Sequence, residues 1–243
     1  MRLLENKIAI ITGAGRGIGK ATAHQYSQEG ATVIIAEFDE QSGQETANSI
    51  GGHFFKTDIS SQKSVTSLFK YVKTKFNRLN ILVNNAGVIR DRSFMKMTQE
   101  EWDTVININL TGMFIVTKAV FPLMKEAGYG RIISASSINA FQGAFGQANY
   151  SATKAGINGF TRALCKEGGK YGITVNAVAP GFIKSLMSDS MPEEIIKAGI
   201  AQIPVGRIGT PEDMGYTYLF LASKEAGFIS GITLHANGGA MPM

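Results

Sequence analysis

The feature that most constrains this chain is a regular alternation of short apolar runs with segments of helical periodicity. Residues 8–11 are wholly apolar and end in Thr12 and Gly13, and a helical pattern starts at Arg16. Such runs are typical of strands buried on both faces of a parallel sheet. The predicted strands are residues 8–11, 32–36, 53–57, 79–83, 131–137, 173–178 and 232–234. Repeated β-α units with right-handed crossovers predict the α/β class, with a doubly wound, mostly parallel seven-stranded sheet flanked by helices.

The composition fits a single soluble domain over residues 1–243, with 44% hydrophobic and 18% charged residues. The net charge of +5 is spread along the chain, and its densest group, within residues 63–78, fits a solvated helix face better than a nucleic-acid surface. Cys165, the single cysteine, allows no internal disulfide and indicates a reducing compartment. No uninterrupted apolar run approaches about 18 residues and no secretory signal opens the chain, so we expect a cytoplasmic protein without membrane contact. No metal site is predicted, because no His, Cys or Asp cluster has ligand spacing.

A glycine-rich turn follows the first predicted strand, with glycines at positions 13, 17 and 19. A strict G-x-G-x-x-G pattern is not met, because position 18 is Ile. In the family that the chain resembles, described below, the present spacing does the same work: Gly13 permits a tight turn, Gly17 lets a pyrophosphate approach the backbone, and Gly19 lets the next helix pack closely. The free N–H groups at the start of that helix favour an anion. A strand before the turn and a helix after it favour a nucleotide site over a simple turn.

A second motif places Tyr150 four residues before Lys154, on one face of a predicted helix. A neighbouring ammonium favours the phenolate, so Lys154 is expected to lower the pKa of Tyr150 and to let it exchange protons near neutrality. Ser137 ends the predicted strand 131–137, where its hydroxyl can hold a carbonyl oxygen beside the phenol. On its own, this pattern favours a solvated Tyr-Lys pair and an ordinary strand end over a catalytic site.

Several separated motifs together resemble the short-chain dehydrogenase/reductase family, whose fold is the Rossmann fold. They are the glycine turn at 12–19, Asn-Asn-Ala-Gly at 84–87, the stretch 137–154 and Pro-Gly at 180–181. The resemblance runs from Lys7 to Gly239, and it is nearest to the 3-oxoacyl-acyl-carrier-protein reductases.

The resemblance implies a set of site residues. The implied catalytic residues are Asn109, Ser137, Tyr150 and Lys154. The implied cofactor-binding residues are Gly13, Arg16, Gly17, Ile18, Gly19, Glu37, Asp58, Ile59, Asn85, Ala86, Gly87, Tyr150, Lys154, Pro180, Gly181, Ile183 and Ser185. Asn109 falls inside a long helix predicted from the capping box at 98–101 to Lys125. There it is either a core hydrogen-bonding residue or part of a water-linked proton path to Lys154.

The implied activity is NAD(P)-dependent hydride transfer to or from a carbonyl or secondary alcohol, with a 3-oxoacyl or 3-hydroxyacyl thioester as the first choice of substrate. The thioester carrier is left open between an acyl carrier protein and CoA, with a small secondary alcohol or ketone as a further alternative. Relatives that bind a carrier protein place basic residues before β-strands five and six; Lys125, Arg131 and Lys170 are the nearest equivalents. A non-catalytic nucleotide sensor is the alternative from another class, but such proteins tend to lose the catalytic set.

Glu37 and Arg16 point to different nicotinamide cofactors. Arg16 is the basic residue that NADP-using relatives place near the 2′-phosphate, whereas a carboxylate at Glu37 accepts bonds from a ribose diol and repels a phosphate. An exposed ion pair is worth only roughly 0–1 kcal/mol, so NAD(H) is expected to be preferred, with NADP(H) as the alternative.

Two further expectations concern the surface. A homotetramer is expected from the resemblance, the small residues of the Tyr150 helix and the apolar end at 229–243. Residues 182–199 have the composition of a mobile lid.

Overall fold

The computed structural model describes residues 2–185, 188 and 192–242. The predicted lid at 182–199 therefore falls in part outside the described residues. Within that segment, a helix occupies Glu193–Ala201, and Ile183 forms an isolated parallel bridge with Gly209.

The sheet has seven strands in the order β3-β2-β1-β4-β5-β6-β7, and every neighbouring pair is parallel. The strands are β1 (Ile8–Thr12), β2 (Thr32–Glu37), β3 (His53–Lys56), β4 (Ile81–Asn84), β5 (Gly130–Ala135), β6 (Ile173–Pro180) and β7 (Thr233–Ala236). The chain reverses direction across the sheet between β3 and β4, which makes the gap between β1 and β4 the switch point. The predicted doubly wound fold is confirmed, with small shifts of the strand ends.

Helices cover both faces of this sheet. They are α1 (Gly17–Gln28), α2 (Glu40–Ile50), α3 (Gln62–Phe76), α4 (Gln99–Ile106), α5 (Met113–Ala127), α6 (Asn139–Gln142), α7 (Ala148–Gly168), α8 (Glu193–Ala201) and α9 (Pro211–Ala222). One apolar core lies between the sheet and α1, α2 and α9, and the other lies between the sheet and α3, α5 and α7. The strands between the two cores are apolar on both sides because both of their faces are covered.

Side-chain caps fix where the helices begin. Thr98 and Glu101 form the predicted capping box of α4, and Thr210 and Asp213 form a second one ahead of α9, whose first residue is Pro211. Each cap satisfies backbone N–H groups that the helix itself leaves unpaired. Loss of such a cap typically costs about 1 kcal/mol.

The prediction of one continuous helix from 98 to 125 is wrong in the middle of that range. A π-helical segment, Asn107–Gly112, interrupts it between α4 and α5. The side chain of Asn109 inside this segment is bonded to the backbone of Val88, a contact that arises only in the folded chain. Wider turns of this kind occur often at functional sites.

Among the described residues, one helical stretch, Gln99–Ala127, is long and apolar enough to cross a membrane, with a mean hydropathy of 1.4 over its most apolar window. Of that window, 39% is buried inside the protein, where α5 packs against α3, β4 and β5. The core helix of a soluble protein passes the same test of length and composition, so the stretch is weak evidence for a membrane span. A protein without membrane contact remains our prediction.

Candidate active site

The glycine turn lies at the carboxyl end of β1, beside the switch point of the sheet. Gly13 has a φ of +64°, and a Cβ atom there would lie 2.7 Å from the Cα of Ala86. A Cβ at Gly19 would lie 2.3 Å from the carbonyl oxygen of Gly13. Gly17 also has a positive φ, but no atom lies within 4 Å of its missing side chain. The first and last glycines therefore allow close packing, while Gly17 leaves an open approach to the start of α1, which suits a pyrophosphate.

Asparagines at the end of β4 tie the turn to the centre of the sheet. Asn85 donates its side-chain amide to the carbonyl oxygens of Thr12 and Gly13 at 3.1 and 2.9 Å. Asn84 donates to the hydroxyls of Thr117 and Ser134, which links β4 to α5 and β5. Asn84 is thus a structural residue, while Asn85 shapes the nucleotide turn itself.

Glu37 closes the turn from the end of β2. Its Oε2 accepts the N–H of Gly15 at 2.9 Å, and its Oε1 accepts the N–H groups of Phe38 and Asp39 at 2.8 and 3.2 Å. Arg16 reaches Asp39 instead, with 3.5 Å between Nη2 and Oδ1 and both side chains about half exposed. The carboxylate of Glu37 is therefore held in place by backbone donors, while the charge of Arg16 is shared with another acid.

A cavity of about 550 Å³ opens beside Glu37 and reaches Gly87. Predicted cofactor residues on its wall are Gly13, Arg16, Glu37, Asp58, Ile59, Asn85, Ala86 and Gly87. Asp58 accepts hydrogen bonds from the backbone and hydroxyl of Ser60, which orient its carboxylate. The structure thus brings together residues from β1, β2, β3 and β4 that are distant in sequence.

A second cavity, of about 530 Å³, continues on the other side of Gly87. Predicted residues on its wall are Ile18, Asn85, Gly87, Ser137, Tyr150, Lys154, Pro180, Gly181, Ile183 and Ser185. Gly19 lies on neither of these two walls, since it packs against the turn. The two cavities together suit an elongated dinucleotide whose ends lie on either side of the switch point.

Tyr150 and Ser137 meet in the second cavity. Tyr150 stands in the first turn of α7, and Ser137 lies two residues beyond β5. Burial raises the pKa of the Tyr150 phenol, a hydrogen bond with Ser137 lowers that pKa, and the charge of Asp91 raises it; the net shift is upward. The prediction that Tyr150, beside Lys154, has a pKa lowered toward neutrality is therefore wrong for this arrangement, because burial is the largest influence on the phenol and raises its pKa.

Lys154 is almost fully buried one helical turn below the phenol. Its Nζ donates to the carbonyl oxygen of Ala135 at 2.6 Å and lies 5.3 Å from the centre of the Tyr150 ring. Burial lowers the pKa of Lys154 to about 8. At neutral pH the ammonium is thus still charged, and a Cβ atom at Gly87 would lie 3.8 Å from Nζ.

The side chain of Asn109 forms two hydrogen bonds with the backbone of Val88. Its Oδ1 accepts the N–H of Val88 at 2.8 Å, and its Nδ2 donates to the carbonyl oxygen of Val88 at 2.9 Å. These bonds favour the core hydrogen-bonding role over a side-chain proton path. They also hold the segment after β4 in place, so that Gly87 lies between Asn109 and Lys154.

Three polar residues at or beside the cavity were not predicted from the sequence. Asn139 and Gln147 line the cavity from α6 and the loop before α7. Asp91 lies behind them, in the segment after β4, and accepts a hydrogen bond from Gln147. The only available signal was the position of Asn139 and Gln147 between Ser137 and Tyr150. Asp91 had no signal, because it is distant in sequence from both.

A switch-point crevice, a glycine turn and a buried Ser-Tyr-Lys group define the class of protein: a dinucleotide-binding α/β enzyme. Known proteins narrow this class. A family model described as "Enoyl-(Acyl carrier protein) reductase" matches residues 13–241. The chain is 42% identical over 238 residues to the 3-oxoacyl-[acyl-carrier-protein] reductase FabG of Vibrio cholerae serotype O1, covering 97% of this chain and 98% of that relative. It is 44% identical over 237 residues to the acetoacetyl-CoA reductase of Rhizobium meliloti, covering 96% of this chain and 98% of that relative.

The chain therefore belongs to the short-chain dehydrogenase/reductase family. It is an oxidoreductase that uses a nicotinamide cofactor. The open approach at Gly17 and the cavity between Glu37 and Tyr150 fit such a dinucleotide.

Proposed function

We propose that the protein reduces the 3-oxo group of an acyl thioester, with Ser137, Tyr150 and Lys154 as catalytic residues. Asn109, the fourth member of the predicted set, contributes by holding the segment after β4 in place. The observation that carries this proposal is the meeting of Ser137 and Tyr150 beside the buried Lys154 in one cavity. Relatives named as 3-oxoacyl-[acyl-carrier-protein] reductase and as acetoacetyl-CoA reductase, each more than 40% identical, support the substrate class.

The raised pKa of Tyr150 suits the direction of reduction. The bound nicotinamide supplies a hydride to the carbonyl carbon. Ser137 accepts the N–H of Asn139 at 3.1 Å, so its own proton is left to donate to a carbonyl oxygen. Tyr150, protonated at neutral pH, gives its proton to the same oxygen as the C=O bond becomes a secondary alcohol. Lys154 then supports the phenolate that remains, through its positive charge.

We propose that NAD(H) is preferred over NADP(H). The wall of the cavity beside Glu37 carries three carboxylates, those of Glu37, Asp39 and Asp58, against one cation, Arg16. Three backbone N–H groups hold Glu37, so turning its carboxylate away from a 2′-phosphate would break those bonds. Phe38, the residue after Glu37, is 67% exposed and offers no charge.

Two lysines bear on whether the acyl group is carried by an acyl carrier protein or by CoA. Lys125 and Lys170 lie 4.8 and 5.1 Å from the centre of the half-buried Tyr171 ring and, by hydrogen bonds, lower the pKa of its phenol. This basic pair can attract an acidic carrier protein. Arg131 is not available for that purpose, since it is only 5% exposed and its guanidinium donates to backbone carbonyls, including that of Ser223.

The position of the basic pair limits how a carrier would be used. Lys170 precedes β6, at the amino edge of the sheet, whereas Ser137 lies beyond the carboxyl end of β5. A six-residue strand spans roughly 20 Å. A carrier protein bound at Lys125 and Lys170 would therefore lie on the opposite side of the protomer from the cavity that holds Ser137. A loosely held carrier remains our first choice, and a CoA ester is the alternative.

The test is the ratio kcat/KM for acetoacetyl-CoA, for an acetoacetyl carrier protein and for a simple ketone. We expect both thioesters to exceed the ketone. Changing Lys125 and Lys170 together to Ala is expected to raise KM only for the carrier substrate, while Lys70→Ala, an exposed lysine of α3, serves as the control. Absence of turnover with either thioester would refute the proposal.

We also propose a homotetramer in a cytoplasmic setting. On α7, Ala152 and Ala155 are exposed, and no atom lies within 4 Å of the Cβ position of Gly159, so a second copy can approach closely. Phe228 is fully exposed near the carboxyl end, and Phe220 is 46% exposed. Burying such apolar surface favours association. Light scattering at micromolar concentration should give four times the protomer mass, and a monomer mass would contradict this proposal.

A further inference from the structure

A continuous series of side-chain hydrogen bonds crosses the substrate end of the cavity. Gln147 donates from Nε2 to Oδ2 of Asp91 at 2.9 Å, and Asn139 donates from Nδ2 to Oε1 of Gln147 at 2.9 Å. The backbone N–H of Asn139 donates in turn to Oγ of Ser137 at 3.1 Å. The series therefore runs from the segment after β4, through the loop after β5, to a residue proposed to act on the substrate.

The chemistry of these groups fixes their orientation. An ionised carboxylate only accepts hydrogen bonds, so Gln147 must present its NH₂ group to Asp91 and its carbonyl oxygen to Asn139. Asn139 is thereby held where its backbone N–H reaches Ser137. Because the Ser137 oxygen accepts that bond, the single hydroxyl proton points toward the phenol of Tyr150 or a carbonyl oxygen.

Two further hydrogen bonds join the backbone segments on either side of this series. The N–H of Arg92 donates to the carbonyl oxygen of Gly146 at 2.9 Å, and Nδ2 of Asn149 donates to the carbonyl oxygen of Arg90 at 3.0 Å. These bonds hold the segment that carries Asp91 against the loop that carries Gln147. Asp91 is also near enough to Tyr150 for its charge to act on the phenol.

We propose that Asp91 is a positioning residue which, through Gln147 and Asn139, holds the Ser137 hydroxyl in its donating orientation. The proposal rests on the catalytic roles given above to Ser137 and Tyr150. Asp91 itself acts through hydrogen bonds and need not touch the substrate. Removal of the Asp91 carboxylate should therefore affect turnover and leave the cavity beside Glu37, on the other side of Gly87, unchanged.

The experiment compares Asp91→Ala, Asp91→Asn and a matched control. Asp103→Ala is that control, because Asp103 accepts a 2.9 Å bond from the amide of Gln99 on the exposed side of α4, away from the cavity. For Asp91→Ala we expect kcat with acetoacetyl-CoA to fall about tenfold, at an unchanged Kd for the cofactor. Asp91→Asn keeps an oxygen that accepts from Gln147 and should restore most of kcat. The control should match the parent.

A double variant tests the connection itself. If Asp91 acts through Gln147, the double variant Asp91→Ala with Gln147→Ala should lose no more of kcat than the worse of the two single variants. Losses that multiply would overturn the proposal, as would a parental kcat in Asp91→Ala or an Asp91→Asn variant as impaired as Asp91→Ala. Should Asp91→Ala fold poorly, Gln147→Glu sets two carboxylates against each other at nearly constant volume; we expect a similar loss, and a parental kcat there also refutes the proposal.

This result can be told apart from failure of the proposed function. If Tyr150→Phe is inactive and Asp91→Ala turns over at the parental rate, only the positioning role is lost. If Tyr150→Phe retains parental turnover, the proposed acid role fails first.

Discussion

The ammonium of Lys154 lies 5.3 Å from the centre of the Tyr150 ring but gives its hydrogen bond to the carbonyl oxygen of Ala135 at 2.6 Å. Tyr150 is half-buried and Lys154 almost fully buried, and burial shifts their pKa values in opposite directions, upward for the phenol and downward to about 8 for the ammonium. Each shift favours the neutral form, as expected of groups in a low dielectric. At neutral pH the site therefore holds a protonated acid beside a cation that deprotonates easily.

Tyr150→Phe removes the proposed proton donor and leaves the ring. We expect kcat for reduction to fall by roughly a hundredfold or more, with little change in cofactor affinity, because general acid catalysis typically contributes 10²–10⁴-fold. Tyr216→Phe, at an exposed position of α9, should behave as the parent. Steady-state kinetics and cofactor titration by fluorescence give the answer. A Phe variant with parental turnover would remove Tyr150 from the mechanism.

Lys154→Met is expected to stabilise the fold while abolishing turnover. The folded-state pKa of about 8 lies below the unfolded value, so the unfolded chain binds the proton more tightly between pH 8 and about 10.5. The buried charge therefore costs stability in full below pH 8, and this cost fades as the pH rises toward about 10.5. Some of the gain is offset, because the Ala135 carbonyl loses its donor; we expect a net gain of about 1–2 kcal/mol at pH 7.

Urea unfolding of parent and variant at pH 7 and near pH 10.5 measures this difference at equal protein concentration. The gain should be present at pH 7 and nearly absent at the higher pH. Lys70→Met, at an exposed position of α3, should show no such dependence. A variant less stable than the parent at pH 7 would mean that the Ala135 bond outweighs the cost of burying the charge.

The features that could be predicted from the sequence are those that depend on residues close together in the chain. Apolar runs of strand length gave all seven strands, and capping residues such as Thr98 and Thr210 gave helix starts, because these signals act within a few residues. The glycine turn was predictable for the same reason. Its spacing is a local requirement of the backbone that Gly13 meets with a positive φ.

What could not be predicted depends on contacts between distant segments. The π-helical turn at Asn109 follows from bonds to Val88, twenty-one residues earlier, and no helical propensity encodes them. The pKa of Tyr150 depends on how much of the phenol the fold covers. The Asp91–Gln147 bond likewise joins residues fifty-six positions apart. In each case the sequence shows that a residue has a suitable functional group, but only the fold determines which distant residue it contacts.

Gly19→Ala is expected to weaken both stability and cofactor binding. The new methyl carbon would lie 2.3 Å from the carbonyl oxygen of Gly13 and 2.6 Å from Nδ2 of Asn85, so the turn must move. Overpacking of this kind costs typically about 1–3 kcal/mol. Gly169→Ala is the matched control, because no atom lies within 4 Å of its Cβ position and its φ is −54°. Thermal unfolding and cofactor titration should separate the two variants; equal behaviour would show that the turn tolerates a side chain.

Cofactor preference provides the last prediction. Two unit charges about 4 Å apart repel by about 1 kcal/mol in water and by about 4 kcal/mol near a protein surface, so Glu37 should disfavour a 2′-phosphate by roughly tenfold or more. Arg16 offsets little of this, since it is largely exposed and its charge is shared with Asp39. We therefore expect the parent to have a higher kcat/KM with NADH than with NADPH.

Two variants of Glu37 separate charge from structure. Glu37→Gln removes the charge and keeps one oxygen able to accept the N–H of Gly15, but its NH₂ group cannot accept the bonds from Phe38 and Asp39. It should narrow the difference between the cofactors at a smaller cost in stability than Glu37→Ser. Glu37→Ser removes the charge and also shortens the side chain, so that it no longer reaches the N–H of Gly15. It should move the preference further toward NADPH at some cost in stability. Arg16→Ala should leave the NADH value nearly unchanged. A parental kcat/KM that is higher with NADPH would show that the cation at Arg16 dominates the carboxylates around it.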